Sequence, residues 1–214
     1  MRMRRKRQLG SRIKKCEHLL VQEPEVLRGR WLEEFGNNKL HIELGCGKGL
    51  FTVETAKLEP DVLYLGIEKI SNVIIVALER AEHEGIQNVR FINRLADDLS
   101  TFFAPGEVSR IYINFCDPWP ANRHKKRRLT GPLFLDLYKN ILSQNGEIHF
   151  KTDDFQLFEF SLHEFDHFGF YLSEVTYDLH ENGSIGVMTD YEVKFHEFEI
   201  PIHRCVATYK RTES

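Results

Sequence analysis

Short runs of apolar residues alternate with segments of helical periodicity from residue 39 onward. The runs predict β-strands, because strand-length apolar stretches bounded by turn residues are typical of strands in a buried sheet. These predicted strands are residues 39–44, 62–67, 89–92, 110–115, 147–151, 170–177 and 204–209. The segments with one apolar helical face begin at residues 50, 71, 132 and about 154. This alternation predicts an α/β protein, with a mostly parallel seven-stranded sheet and helices on both faces.

Local signals predict where these helices begin and end. Ser71 is a candidate N-cap of the second helix, and Asp153 or Asp154 is a candidate N-cap of the last one. Thr130 and Pro132 are expected to start the third helix, which should reach about Leu142 and be stopped by Asn145-Gly146. The predicted apolar face of the last helix consists of Phe155, Phe158, Leu162 and Phe165.

The size and composition of the chain indicate one globular core with a short appendage. The chain has 214 residues, of which 42% are hydrophobic and 29% are charged. We expect residues 1–35 to form a basic arm with a helical lead-in, and residues 36–214 to form the α/β domain. No apolar run approaches the roughly 20 residues of a membrane helix, and the basic start lacks the apolar region of a secretory signal. The four cysteines form no C-x-x-C pair, which favours free thiols in a reducing cytoplasm.

Positive charge is concentrated in two places, although the whole chain carries a net charge of −3. The first 15 residues contain eight Lys or Arg and no acid, and residues 123–128 spell RHKKRR. Basic segments on an otherwise acidic protein predict contact with a polyanion such as a nucleic acid. A solvated charge run is the alternative for each segment, and for the N-terminal arm alone the two interpretations are equal.

Several polar segments follow directly after predicted strands. They are residues 45–49, Glu68, Asp117 and Asp153. Sheets of this kind bind their ligands outside the carboxyl ends of the strands, near the switch in strand order. We therefore expect these segments to lie along one edge of the sheet and to form a ligand site.

A glycine-rich turn follows the first predicted strand, in the sequence ELGCGKG of residues 43–49. Glycine at alternate positions lets a ligand approach the backbone without meeting a β-carbon. The spacing matches neither the dinucleotide-binding G-x-G-x-x-G nor a P-loop, and a tight strand–helix connection explains the turn alone equally well. Glu43 would repel a pyrophosphate but attract a cationic ligand, such as the amino group and sulfonium of S-adenosylmethionine. Glu68 suits the two hydroxyls of a ribose.

These residues resemble the first two motifs of the class I S-adenosylmethionine-dependent methyltransferases. INFCDPWPANRHKKRRLT at 113–130, HFKTD at 149–153 and MTDYEVKF at 188–195 are similar to the bacterial tRNA (guanine-N7-)-methyltransferases. The resemblance covers most of the chain. It implies a Rossmann-like class I methyltransferase fold, S-adenosylmethionine as cofactor, tRNA as partner, and methylation of N7 of the variable-loop guanine. We expect a cytoplasmic monomer or homodimer without metal or membrane contact.

The Asp-Pro-Trp-Pro turn at residues 117–120 is the most specific part of this resemblance. As an isolated motif, Asp-Pro is an ordinary turn initiator. Pro118 and Pro120 fix the backbone, so Asp117 and Trp119 would be held rigidly. The Trp119 ring could stack on a nucleobase, and the basic run behind the turn would hold the phosphate backbone of the RNA.

The resemblance also implies roles for individual residues. Asp117 is the expected catalytic residue, since a carboxylate there would stabilise the positive charge that develops on the methylated purine. The cofactor-binding set is Glu43, Gly45, Gly47, Glu68, Ala96 and Asp117. The substrate-binding set is Asp153, Thr189 and Glu192, and the RNA-binding set is Arg123, Lys125, Lys126, Arg127 and Arg128.

Alternative interpretations remain open for several of these residues. Asp153 also suits a helix N-cap, and Thr189 with Glu192 also suits a Thr-x-x-Glu capping box. Ala121 stands where the family usually has Lys, and Leu95 stands where it usually has Asp or Asn near the adenine. These departures motivate an alternative function, an RNA-binding module with a weakened cofactor pocket. A methyltransferase that acts on an exocyclic amine of a nucleobase is the other alternative.

Residues 163–167 spell HEFDH, which matches the H-E-x-x-H pattern of zinc metalloproteases. Helical periodicity places both histidines away from the apolar face of the predicted helix. We therefore expect surface histidines rather than a zinc site.

Overall fold

Seven strands form one sheet in the computed structural model, which describes residues 9–210 except 182, 184 and 199. The strands are β1 (Lys39–Leu44), β2 (Val62–Ile67), β3 (Val89–Ile92), β4 (Val108–Asn114), β5 (Leu142–Thr152), β6 (Phe170–Thr176) and β7 (His203–Tyr209). Their order across the sheet is β3-β2-β1-β4-β5-β7-β6. The pairs are parallel except that β7 runs antiparallel to both β5 and β6. The predicted mostly parallel, seven-stranded sheet is confirmed.

Helices cover both faces of this sheet, as predicted. The helices of the described residues are α1 (Leu9–Lys15), α2 (Trp31–Phe35), α3 (Leu50–Leu58), α4 (Ser71–Glu84), α5 (Leu99–Phe102), α6 (Pro132–Ile141), α7 (Phe155–His167) and α8 (Asp190–Glu197). One apolar core joins the sheet to α3 and α4. A second core joins the other face to α2, α5, α6 and α7.

Side chains alternate between the two faces along each strand, and β1 shows what this means for the site. Leu40, Ile42 and Leu44 belong to the core under α5, α6 and α7. His41 and Glu43 therefore point to the opposite face, where Glu43 accepts a hydrogen bond from Thr52 of α3. The polar side chains of β1 therefore lie on the face of the sheet that α3 covers.

Residues 9–35 pack onto the domain rather than standing apart from it. Arg12 of α1 donates to both carboxylate oxygens of Glu79 on α4. The Val21 N–H donates to the Phe91 carbonyl at 2.8 Å, so the chain covers the outer edge of β3. Trp31 is fully buried, and its indole N–H donates to the Phe102 carbonyl at 2.9 Å. The basic residues at positions 2–7 lie outside the described residues.

Two predicted helix signals are wrong, although the end predicted for α6, at about Leu142, agrees with the structure. Asn145-Gly146 does not end α6, because that helix stops at Ile141 and β5 already begins at Leu142. The φ of Asn145 is +57° and the pairing of β4 with β5 shifts register nearby, so the turn signal marks an irregularity inside the strand. Ser71 is the first residue of α4 rather than its N-cap, and its hydroxyl donates to Asn93 Oδ1 at 2.7 Å.

The apolar face of α7 also differs from the prediction at its start. Phe155 is 56% exposed, whereas Leu157, Phe158 and Phe165 are buried. The helix begins at Phe155, where the first turn projects beyond the core, and the ring lies against the rings of Tyr177 and His203.

The carboxyl ends of the parallel strands lie level with one another. Leu44 of β1 pairs with Ile67 of β2 and with Ile113 of β4. Ile67 pairs in turn with Ile92 of β3, and Asn114 of β4 pairs with Lys151 of β5. The segments that follow these strands therefore share one edge of the sheet. Among the described helices, none has the length and apolar character needed to cross a membrane.

Candidate active site

The glycine turn after β1 leaves open space beside its backbone. Gly45 and Gly47 have φ values of +74° and +59°, a region that favours glycine. A Cβ built on Gly45 would have no heavy atom within 4 Å, whereas one on Gly49 would lie 2.5 Å from the Cβ of Ala77. Gly49 is thus needed for the packing of α3 against α4, while Gly45 borders a space that a ligand can occupy.

Glu43 lies at the base of this turn and is only 3% exposed. The Thr52 hydroxyl donates to one carboxylate oxygen, and the Asn114 amide donates to the other at 2.9 Å. Burial raises the pKa of the Glu43 carboxyl, and the hydrogen bonds from Thr52 and Asn114 oppose that rise. Asn114 Oδ1 is buried and has no hydrogen-bond partner in the described part of the chain. An acceptor is therefore left unused beside a buried carboxylate, which suits a ligand with an N–H group.

Glu68 and Ala96 occupy the next positions along the same edge. Glu68 follows β2, is half-buried, and accepts a hydrogen bond from the Ile70 N–H at 2.8 Å through Oε1. Asn93, which follows β3, donates to the Glu68 carbonyl at 2.6 Å. Ala96 begins a short 3-10 turn, and the side chain of Leu95 before it is exposed. The carboxylate and the start of the turn are thus held on neighbouring loops.

The segment after β4 contains two residues with left-handed backbone. Phe115 has a φ of +53° and Trp119 has a φ of +44°. Non-glycine residues rarely adopt this conformation, and when they do the surrounding structure must hold them there. Asp117 lies between them and is exposed. The turn therefore presents the Asp117 carboxylate to solvent from a constrained backbone.

A 3-10 segment, Asn122–Arg127, follows this turn and folds back on it. The guanidinium carbon of Arg127 lies 4.9 Å from the centre of the Trp119 ring, and the His124 ring meets the same ring edge-on at 5.6 Å. Ala121 is exposed at the start of the segment. Residues 117–127 therefore form one structural unit, in which the guanidinium of Arg127 lies over the Trp119 ring of the same loop.

The five predicted RNA-binding cations are not equivalent in the structure. Arg123, Lys125, Lys126 and Arg127 are exposed. Arg128 is only 7% exposed, and its guanidinium donates to the carbonyls of Pro118 and Trp119 at 2.9 Å and 3.3 Å. Four of the five are thus accessible to a polyanion, and Arg128 contacts the turn itself.

The predicted substrate-binding residues also occupy different environments. Asp153 is exposed at the end of β5, and its neighbour Asp154 caps α7 by accepting from the Leu157 N–H at 2.7 Å. Thr189 and Glu192 form a capping box at the start of α8, with N–H to side-chain distances of 2.8 Å and 3.0 Å. Asp153 is therefore available to a substrate, while both side chains of the capping box already have partners.

Glu192 has further contacts that the sequence pattern does not reveal. It is fully buried, accepts from Lys151 Nζ at 2.9 Å, and lies 3.3 Å from His180 Nε2. Lys151 and Asn114 are polar residues near the carboxyl ends of apolar strands. That position at the ligand edge of the sheet is the signal that could have identified both of them as site residues.

The two histidines of the H-E-x-x-H pattern lie on the outer surface of α7. The His163 and His167 rings stack 6.2 Å apart, and the His163 side chain is 77% exposed. Within the described part of the chain, no group of three or more His, Cys, Asp or Glu residues could hold a metal ion. The pattern is explained by solvent-facing positions on a helix.

Known proteins match the chain over most of its length. The profile of a family described as "Putative methyltransferase" matches residues 37–205. A tRNA (guanine-N(7)-)-methyltransferase of Geobacillus kaustophilus is 48% identical over 97% of this chain and 96% of its own. That of Geobacillus thermodenitrificans is also 48% identical, over 97% of each chain.

Solved structures resemble the chain in fold. The aminoglycoside resistance methyltransferase NpmB1 matches with a TM-score of 0.58 over 83% of this chain and 91% of its own, at 20% identity. Such a likeness supports the Rossmann-like class I methyltransferase fold expected from the sequence. With near-complete coverage by its relatives, the chain belongs to the tRNA (guanine-N7-)-methyltransferase family.

Proposed function

We propose that this protein transfers the methyl group of S-adenosylmethionine to N7 of the variable-loop guanine in tRNA. The observation that supports the proposal is the unit of residues 117–127, in which the exposed Asp117 and four exposed cations follow β4 at the carboxyl edge of the sheet. The family relatives carry the name of the same activity over nearly the full length of the chain.

The residues at the carboxyl edge fit S-adenosylmethionine. When bound, this cofactor supplies an electrophilic methyl group on a sulfonium. The open space beside Gly45 and the unpartnered Asn114 Oδ1 next to Glu43 provide room and an acceptor for its amino group. Glu68 would bind the ribose hydroxyls, and the backbone N–H of Ala96 would face the adenine.

The exposed cations would hold the tRNA by its phosphates. Arg123, Lys125, Lys126 and Arg127 are exposed, and phosphate contacts of this kind position a nucleic acid without specifying its sequence. The target base would be selected by groups at the turn and at the end of β5, which include Asp117 and Asp153. Access to N7 within folded tRNA requires that the guanine be turned out of its stack.

For this reaction the protein has mainly to position the two substrates and to stabilise the positive charge that develops. Guanine N7 carries a lone pair in the neutral base, so no general base is needed. Positive charge develops on the purine during transfer, and the Asp117 carboxylate would stabilise it. Burial raises the pKa of the neighbouring Cys116 thiol to about 12, and the charge of Asp117 adds to that rise. Cys116 is therefore protonated near neutral pH and does not act as a nucleophile.

Transfer of a labelled methyl group to tRNA tests the proposal. The protein is incubated with methyl-labelled S-adenosylmethionine and unmodified tRNA, and the labelled nucleotide is identified by nuclease digestion. Label at N7 of the variable-loop guanine is the expected result. Label on an exocyclic amine, or tight tRNA binding without label, would overturn the proposal in favour of one of the two alternative functions.

A further inference from the structure

Arg128 differs from every other cation of the loop in its surroundings. It is 7% exposed, although Arg123, Lys125, Lys126 and Arg127 before it are all exposed. A guanidinium is charged at all relevant pH values, and its burial is costly unless its donors are paired. The contacts of Arg128 therefore indicate what the residue does.

The guanidinium of Arg128 joins the turn at residues 117–120 to α7. Its Nε donates to the Pro118 carbonyl at 2.9 Å, and its Nη2 donates to the Trp119 carbonyl at 3.3 Å. Its planar group lies 4.3 Å from the centre of the Phe160 ring on α7. Two residues later, the hydroxyl of Thr130 accepts from Ser161 of α7 at 2.7 Å. Arg128 is thus fixed to a rigid helix on one side and to the turn on the other.

The turn needs such a partner because its own backbone offers few donors. Pro118 and Pro120 have no N–H, and Trp119 is in a left-handed conformation that is unfavourable for a residue with a side chain. Strained backbone of this kind persists only where the surrounding structure determines it. Arg128 supplies two donors in a fixed geometry to the two carbonyls directly after Asp117.

We propose that Arg128 is a positioning residue for methyl transfer, which holds the Asp117–Trp119 turn in place, and that it makes no phosphate contact with tRNA. The inference rests on the proposed function for its kinetic consequences. Lysine cannot replace arginine at this position, because its ammonium reaches fewer carbonyls and has no planar group to lie over the Phe160 ring.

Matched variants distinguish a positioning residue from a phosphate contact. Arg128→Lys keeps the charge but loses the planar guanidinium with its two donors. Lys126→Gln removes an exposed charge and leaves the turn unchanged. At saturating tRNA, we expect single-turnover methylation by Arg128→Lys to fall by about 10–100-fold, as for a small displacement of a reacting group. Arg128→Gln also removes the charge, and its tRNA affinity and the salt dependence of that affinity should stay as in the unchanged protein. Lys126→Gln should instead weaken tRNA binding and lower its salt dependence.

A fluorescence measurement tests the same inference without any activity. The chain has two tryptophans, and Trp31 is fully buried, so quenching by acrylamide reports on Trp119. Quenching in tRNA-free protein should increase in Arg128→Lys and in Phe160→Leu, which removes the ring under the guanidinium, but not in Lys126→Gln. Far-UV circular dichroism shows whether each variant is folded. If Arg128→Lys does not fold, Phe160→Leu still provides the test.

Two results would overturn the inference. One is an Arg128→Gln protein that loses tRNA affinity and part of its salt dependence while its rate at saturating tRNA is retained, since removal of the charge then acts as loss of a phosphate contact. The other is unchanged quenching in both Arg128→Lys and Phe160→Leu. Failure of the proposed function would appear separately, as absence of N7 methylation by the unchanged protein, and the quenching result would still decide the role of Arg128.

Discussion

Lys151 and Glu192 form a buried ion pair in which Nζ and Oε1 are 2.9 Å apart. The pair joins the end of β5 to the first turn of α8, so it connects the ligand edge of the sheet to the capping box of that helix. Glu192 is fully buried and also lies against His180. Its direct contact with a substrate, as the family resemblance implies, would require α8 to move.

Glu192→Gln should destabilise the protein strongly. The substitution leaves the Lys151 ammonium buried without a counter-charge, and breaking such a pair costs about 3–5 kcal/mol. Urea unfolding would measure the loss. Lys151→Met combined with Glu192→Gln should recover much of it, because neither charge then remains alone. A single Glu192→Gln variant as stable as the unchanged protein would mean that the pair contributes nothing to the fold.

Asp117→Asn should slow methyl transfer without releasing the tRNA. The substitution keeps the shape of the side chain and removes the charge that would stabilise the developing cation, so we expect the single-turnover rate to fall by roughly 10²–10³-fold. The exposed cations remain, so the dissociation constant of tRNA should change little. Filter binding and single-turnover methylation on the same preparation provide the two values. A large loss of tRNA affinity with an intact rate would show that Asp117 serves binding rather than catalysis.

The apolar pattern alone predicts the sheet well, because strand formation depends on local runs of residues. The predicted bounds of β1, β2 and β3 match the structure. The pattern fails at Asn145-Gly146, where a strong turn signal lies inside β5. Pairing with β4 determines the course of the chain there, and no local signal contains that information.

The site is harder to predict, because the burial of a charged side chain depends on partners that are distant in the sequence. Arg128 belongs to a run of six basic or imidazole residues, so its sequence context indicates an exposed side chain. It is buried because the carbonyls of Pro118 and Trp119 and the ring of Phe160 meet at its position. Glu192 is similar, since the capping box is visible in the sequence and the ion pair with Lys151 is not.

The salt dependence of tRNA binding should identify the cations that contact phosphates. Loss of one phosphate contact lowers the log–log slope by about 0.7–0.9, so Lys126→Gln should lower it by up to that amount. Lys39→Gln is the matched control, because Lys39 is exposed at the amino end of β1, on the opposite edge of the sheet. Binding measured from low to moderate salt gives both slopes. Equal slopes for the two variants would show that Lys126 makes no phosphate contact.

Stability should fall as the pH decreases below about 6.5. Burial lowers the pKa of His41 to about 3, and the charge of Arg110 adds to this. The unfolded chain binds a proton at His41 near pH 6.5 and the folded protein does not, so acidification favours unfolding by about 1.4 kcal/mol per pH unit. Burial lowers the pKa of His149 in the same direction. The carboxylate of Glu147, with a pKa of about 2 because His149 donates to it, adds to this loss only below about pH 4.5.

Urea unfolding between pH 5 and 7 tests this dependence. His41→Phe removes a buried imidazole and leaves the Tyr64 hydroxyl its bond to Glu59, so the slope of unfolding free energy against pH should decrease. His83→Gln is the control, because the His83 side chain is 86% exposed. If His41→Phe retains the full slope while His83→Gln lowers it, the exposed histidines rather than the buried ones determine the acid sensitivity. The buried polar groups on the α3 face would then have no measurable linkage to folding.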